Sequence, residues 1–234
     1  MQNIVNIPRI AKGARLGKIA TFAGLGFLVA GLIASLTLQT AGLIWVSFVC
    51  LLLGILVSSV GTMNMNRWVR EPRADQALAQ ALKGLDDRYR LYSHFLPAPH
   101  VLLGPTGLFV LTPMGQDGAI RYDGQKFRRD FSAIRLLRFM ADEGLGQPFA
   151  EADSQVRAMQ KLLDEHAVGE GVEVQNVVVF YSPRARLEIE DPPRPVAVPK
   201  GLKKALRKQP GAEETKLAGA QYRELRELFD RLAG

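Results

Sequence analysis

The stretch His100-Val-Leu-Leu-Gly104-Pro105-Thr106-Gly107-Leu-Phe-Val-Leu111 sets two apolar runs on either side of a Gly-Pro-Thr-Gly turn. Runs this short, joined by glycine and proline, predict a hairpin of buried strands. Pro113 is expected to close the second run, because proline brings no N–H to a ladder. Upstream, Pro72 and the apolar positions Ala77, Leu78, Ala81 and Leu82 predict a helix over 74–82 that ends at Gly84; Arg88–His94 alternates and predicts a strand. Downstream, Ala119–Tyr122 and Gln125–Arg129 flank Asp123-Gly124, a hairpin turn. Leu136, Leu137, Phe139 and Met140 suit a short helix, and Phe149–His166 a longer one with Val156, Met159, Leu162 and Leu163 on its apolar face. Val174–Tyr181, with Val177-Val178-Val179-Phe180 at its heart, reads as a strand buried on both faces. Arg186–Glu190 alternates, Pro192, Pro193 and Pro195 give an extended connector, and helices near Gly201–Arg207 and Glu213–Leu232 finish the chain. Helix, strands, helices, strand and helix in that order describe an α/β domain.

The region before this domain is of another kind. From Ile19 to Asn66 no Lys, Arg, Asp or Glu occurs in 48 residues. That excludes a simple soluble protein, and a chain of 234 residues then has room for one medium domain besides. A disulfide scaffold is excluded too, since Cys50 is the only cysteine and lies inside the run. A bilayer core takes about 20 apolar helical residues. The run therefore predicts a transmembrane hairpin over 19–63, with spans at 19–38 and 43–63 and a turn at Gln39, Thr40 and Gly42. Arg9, Lys12, Arg15 and Lys18 make residues 1–18 a basic juxtamembrane segment; Arg67, Arg70 and Arg73 follow the second span against Glu71 alone. Positive flanks resist translocation, so the expectation is a two-pass protein of a bacterial-type inner membrane with both termini cytoplasmic. Trp45 and Trp68 fall near span ends, where indole prefers the interface. Gly31 with Ser35, and Gly54 with Ser58, would let the two helices approach closely. No Asp, Glu, Lys, Arg or His lies in either span, so the hairpin reads as an anchor rather than a channel or proton relay. The net charge of +7 divides into +4 for residues 1–66 and +3 for the remainder. Much of the basic character is thus juxtamembrane, where each cation attracts anionic lipid by about 1 kcal/mol.

The hairpin at 100–111 resembles the core of the nuclease-related (NERD) domain. That family shows an Asp-His pair, an apolar strand, Gly-Pro-x-Gly, a second apolar strand and then Glu-x-Lys. Val177-Val-Val-Phe-Tyr-Ser182, Leu187-Glu-Ile-Glu190 and Pro195-Val196 resemble the family's next strand and tail. The resemblance covers roughly residues 72–205 and leaves 206–234 as a C-terminal helix. It implies a restriction-endonuclease-like α/β fold of the PD-(D/E)XK type. Such a fold cuts phosphodiesters with two carboxylates on Mg²⁺ and a nearby lysine. Each of those positions departs here: Pro99 stands where the family has its metal-binding Asp, Thr112 where it has Glu, and Met114 where it has Lys. On this reading the chain is a degenerate member, a pseudoenzyme with no metal and no cofactor.

Other constellations are weaker. A relocated metal site, with Mg²⁺ and nuclease activity, could use Asp75, Asp117 and Asp123, but Asp117-Gly118 and Asp123-Gly124 read more simply as turns. His94 and His100 flank a proline-rich bend without a third ligand at metal spacing, and Ser93, His94 and Asp87 form a triad only on paper. Arg121, Lys126, Arg128 and Arg129 surround the Asp123-Gly124 turn and could contact nucleic acid or lipid headgroups; a solvated strand face is the plainer reading. Lys203, Lys204, Arg207 and Lys208 suit a surface helix. The expected function is binding or scaffolding at the membrane by a cytoplasmic domain that has lost its nuclease site. The alternatives are a tethered metal-dependent nuclease and an anionic-lipid surface module. The sequence names no protein partner.

Overall fold

The computed structural model describes residues 1–37, 44–129, 144–207 and 217–234. The inter-span turn at Gln39, Thr40 and Gly42, the short helix at Leu136–Met140, Lys208 and the start of the last helix at Glu213 lie outside the described residues. The described residues divide into two compact units: Met1–Asn6 with residues 74–129, 144–207 and 217–234, and residues 7–37 with 44–73.

The first unit is mixed α/β. Its large sheet runs β1-β2-β3-β4-β7-β9, from β1 (Gln2–Val5), β2 (Arg90–Ser93), β3 (His100–Gly104), β4 (Gly107–Met114), β7 (Val174–Phe180) and β9 (Val196–Ala197). β2, β3 and β4 form an antiparallel meander, and β4–β7, β7–β9 and β1–β2 are parallel. A second sheet, β6-β5-β8, is made by β5 (Gly118–Asp123), β6 (Phe127–Arg129) and β8 (Ala185–Glu190). Its turn carries Asp123, whose carboxylate accepts from the backbone N–H of Gln125 at 3.1 Å and Lys126 at 3.0 Å. The helices of this unit are α3 (Ala74–Leu82), α4 (Pro148–His166), α5 (Leu202–Arg207) and α6 (Gly219–Ala233).

Side-chain alternation sorts the large sheet into two faces. Tyr92, Val101, Leu103, Leu108 and Val110 meet Met159, Leu163 of α4 and Leu225, Leu228, Phe229 of α6. Leu91, Leu102, Phe109, Leu111, Val177 and Val179 meet Leu78, Leu82 of α3 and Leu202, Leu206 of α5. The result is a sheet covered by helices on both sides. Every residue of β7 is buried, as the apolar run predicts. Between β3 and β4 the loop is two residues long, and Gly104 is obligatory there because a Cβ would enter the ring of Tyr89.

Two expectations change. β4 does not stop at Pro113 but runs to Met114. The β3–β4 ladder covers Gly107–Val110, so Pro113 lies past it, where the strand has an edge-like side that tolerates a missing N–H. Residues 1–18 are not one segment. Gln2–Val5 pairs with β2, with Gln2 opposite Arg90 and Val5 opposite Ser93, and only from Ile7 does the chain become helix.

In the second unit, α1 (Ile7–Thr37) and α2 (Ile44–Trp68) are both long and apolar enough to cross a membrane, with window hydropathies of 2.1 and 2.3. Only 11% and 17% of those windows are buried, so neither is the core helix of a soluble domain. Their contact is set by small residues seven apart: Gly17, Gly24 and Gly31 on α1 against Ser47, Gly54 and Gly61 on α2. A Cβ on Gly24 would come within 2.6 Å of the Ser58 backbone N, and one on Gly61 within 2.6 Å of the Thr21 backbone N. The backbones therefore touch, as small residues allow in lipid. Gly31, Gly54 and Ser58 lie on this seam; Ser35 is exposed.

Candidate functional site

The positions that the sequence singles out on β4 point to the face covered by α4. Thr112 is fully buried. Its hydroxyl donates to Gln155 Oε1 of α4 at 3.0 Å and accepts from Asn176 Nδ2 of β7 at 2.9 Å. Gln155 Nε2 donates in turn to Glu151 Oε1, one helical turn earlier, at 3.1 Å. A line of hydrogen bonds thus leads from the centre of the sheet to an exposed carboxylate. Register explains it: Thr112 and Val110 lie beside Val178 and Asn176 on the parallel neighbour, so the side chains of 112 and 176 share a face.

Met114 is two residues on, also on this face, and 5% exposed. It packs with Ile120, Ala152, Val178 and Phe180. Phe127, Phe149 and Tyr122 close the cluster, with ring centroids 4.8 to 5.1 Å apart. A thioether fits such a gap, whereas a lysine ammonium among these apolar side chains would be desolvated. Pro99 contributes only its carbonyl, which accepts from the His94 N–H at 2.7 Å.

Magnesium takes a near-octahedral set of hard oxygen ligands, carboxylates among them. Pro99, Met114 and a Thr112 hydroxyl engaged as both donor and acceptor do not fit that ion. Nor are the relocated candidates brought together. Asp75 is buried in the first turn of α3, on the helical layer opposite Thr112. Asp117 precedes β5 and is held by Arg129, whose Nη2 pairs with its carboxylate and whose Nε donates to its carbonyl at 2.7 Å. Asp123 ends β5 and caps its turn. Its carboxyl titrates below the usual range because the Lys126 and Gln125 N–H groups stabilise the anion. A strand of this length sets Asp117 and Asp123 roughly 15–20 Å apart at ~3.3 Å per residue, against a magnesium–oxygen distance of about 2.0–2.1 Å. Among the described residues no group of three or more His, Cys, Asp or Glu could hold a metal.

The basic hairpin is largely paired. Arg121 Nε bonds Glu188 Oε2 at 2.6 Å, Arg128 Nε sits 3.1 Å from Asp123 Oδ2, and Arg129 belongs to Asp117. His94 and His100 stack edge to face with centroids 4.7 Å apart, and Ser93 Oγ lies 3.1 Å from His100 Nδ1 rather than serving a triad with His94. Asp87 is fully exposed at its side chain.

Sequence reading missed Gln155, Glu151 and Asn176. The signals were present: an amide on the stripe Ala152, Val156, Met159, and two amides, Gln175 and Asn176, inside an otherwise apolar strand. The chain matches no family model, no curated protein and no solved structure.

Proposed function

We propose that this chain is a two-pass inner-membrane protein whose cytoplasmic domain, built like a restriction-endonuclease-like nuclease-related domain, binds or scaffolds and does not cut. Support for the fold type comes from the element order: α3, the meander β2–β3–β4, the crossover helix α4 and the parallel strand β7. The observation that carries the loss of catalysis is the Thr112 network. The position where the nuclease reading needs a carboxylate holds a neutral hydroxyl with both hydrogen-bonding roles taken by Gln155 and Asn176. General metal-assisted hydrolysis needs a charged ligand set that these residues do not supply. Full-length protein in nanodiscs, given DNA or RNA with Mg²⁺ or Mn²⁺, is expected to leave both intact. Cleavage that chelation stops would overturn the reading.

For the topology, the support is that β1 and the elements α3 through α6 belong to one folded unit. A folded unit cannot be divided by a bilayer, so α1 and α2 cross together or not at all. The basic flanks then favour the cytoplasmic side. A carboxy-terminal fluorescent-protein fusion should light up in cells and an alkaline phosphatase fusion at the same point should stay inactive; the reverse pattern would refute this orientation.

A further inference from the structure

Beyond β4 the chain passes through Gly115–Asp117 into β5; beyond β7 it passes through Tyr181–Arg184 into β8. Between these two exits lies a groove of about 430 Å³ lined by Gly118, Ala119, Pro183, Arg184 and Arg186. It exists because of register. β5 and β8 are parallel, with Gly118 opposite Ala185 and Ala119 opposite Arg186, so neither Gly118 nor Ala119 offers a side chain large enough to fill the space. One step further the same ladder sets Arg121 against Glu188, and those two close on each other at 2.6 Å. Arg186 faces alanine instead.

Asp117 immediately precedes Gly118 of the groove. Arg129 already holds Asp117 through side chain and main chain, and Arg184 Nη2 stands 3.6 Å from its second oxygen with the Arg184 side chain 69% exposed. Arg184 and Arg186 both line the groove, while the Asp117 carboxylate is already held by Arg129. The carboxyl ends of the parallel neighbours β4 and β7 both lead toward this groove. Guanidinium forks match phosphate oxygens two at a time. The volume exceeds a bare ion and falls in the range of small-molecule sites.

We propose that this groove binds the phosphate or pyrophosphate group of a small ligand through Arg184 and Arg186. The inference goes beyond the reading of the Thr112 site and does not depend on it: a cutting or a non-cutting domain could carry the groove. The same headgroup chemistry occurs in soluble phosphate compounds and in phosphatidic acid, so the test separates them. Full-length protein in phosphatidylcholine nanodiscs is titrated calorimetrically with pyrophosphate at low ionic strength. Saturable binding is expected, weakening as salt rises. Arg184→Gln and Arg186→Gln should each reduce affinity about tenfold or more, while Lys161→Gln on α4 binds as the unaltered chain does and all three melt alike. If phosphatidic acid in the disc displaces pyrophosphate, the lipid headgroup is the natural source; if affinity is unchanged, a soluble compound is. Absence of saturable binding by the unaltered chain, or undiminished affinity in both arginine variants, would overturn the proposal.

Discussion

A Thr112→Val variant is expected to lose about 2–4 kcal/mol of folding stability, although valine has nearly the shape of threonine. The change removes one hydroxyl, yet two other groups lose a partner. Gln155 Oε1 no longer receives a proton, and Asn176 Nδ2 no longer finds that acceptor. Both residues are at least nine-tenths buried, so water does not readily replace what is lost. Each stranded polar group costs about 1–3 kcal/mol, and the surviving bond from Gln155 to Glu151 moderates the sum. Thr112→Ser keeps the hydroxyl and gives up one methyl group, so about 1 kcal/mol is expected there. Urea midpoints of the full chain in micelles, at unchanged slope, measure both. A valine variant no weaker than the serine one would mean that the network is incidental. The comparison also bears on function. If the hydroxyl is a structural keystone, both of its hydrogen-bonding roles serve the fold.

How far the sequence could be read follows the range of the interactions. Elements stabilised by their own neighbours were legible. The hairpin at 100–111 announces its turn in four residues, and α6 announces its buried stripe through Leu225, Leu228 and Phe229. Strand β1 was not legible, because four residues without a periodic pattern owe their conformation to Arg90–Ser93, far along the chain. The pairing within the basic hairpin was hidden for the same reason. Arg121 looks available until β8 is laid beside β5, which brings Glu188 opposite it. The seam between α1 and α2 was partly legible. Gly31, Gly54 and Ser58 were noticed in short spacings, while the governing repeat is seven, through Gly17, Gly24 and Gly31. A repeat of 3.5 residues per turn keeps a contact stripe aligned along two helices, where four-residue spacings drift around them. At the candidate site Thr112 and Met114 were singled out through a family resemblance, and Met114 lies beyond the strand end expected at Pro113. The Thr112 partners Gln155 and Asn176 could not be read, because pairing across a crossover needs the parallel register of β4 and β7.

The docking of α6 supplies the other large effect. Arg90 Nη1 donates to both carboxylate oxygens of Asp230 at 2.6 Å, the Tyr92 hydroxyl donates to Oδ1 at 2.7 Å, and Arg226 Nε approaches Oδ2 at 3.5 Å. The Arg90 side chain is 11% exposed and Asp230 37%, so the pair is sheltered on the sheet side and wet on the helix side. Asp230→Ala would leave a nearly buried guanidinium and a buried phenol short of their acceptor. A fully buried pair broken this way costs about 3–5 kcal/mol; with the carboxylate over a third exposed, about 2–3 kcal/mol is expected. Tyr92 adds a signature in pH. Burial, and next its hydrogen bond to Asp230, hold the phenol well above the usual range for tyrosine. A group whose folded value is raised contributes stability that is complete below its unfolded value near pH 10 and lost as pH climbs beyond it. The unaltered domain should therefore weaken above about pH 10. Tyr92→Phe should remove that component of the alkaline loss, and Asp230→Ala should keep part of it, because burial remains when the carboxylate is gone. Urea midpoints of the three proteins from pH 8 to about 11 decide the matter. If Tyr92→Phe follows the same alkaline curve as the unaltered chain, the phenol is not the titrating group; if Asp230→Ala is as stable as the unaltered chain at pH 8, the cluster does not hold α6 on the sheet.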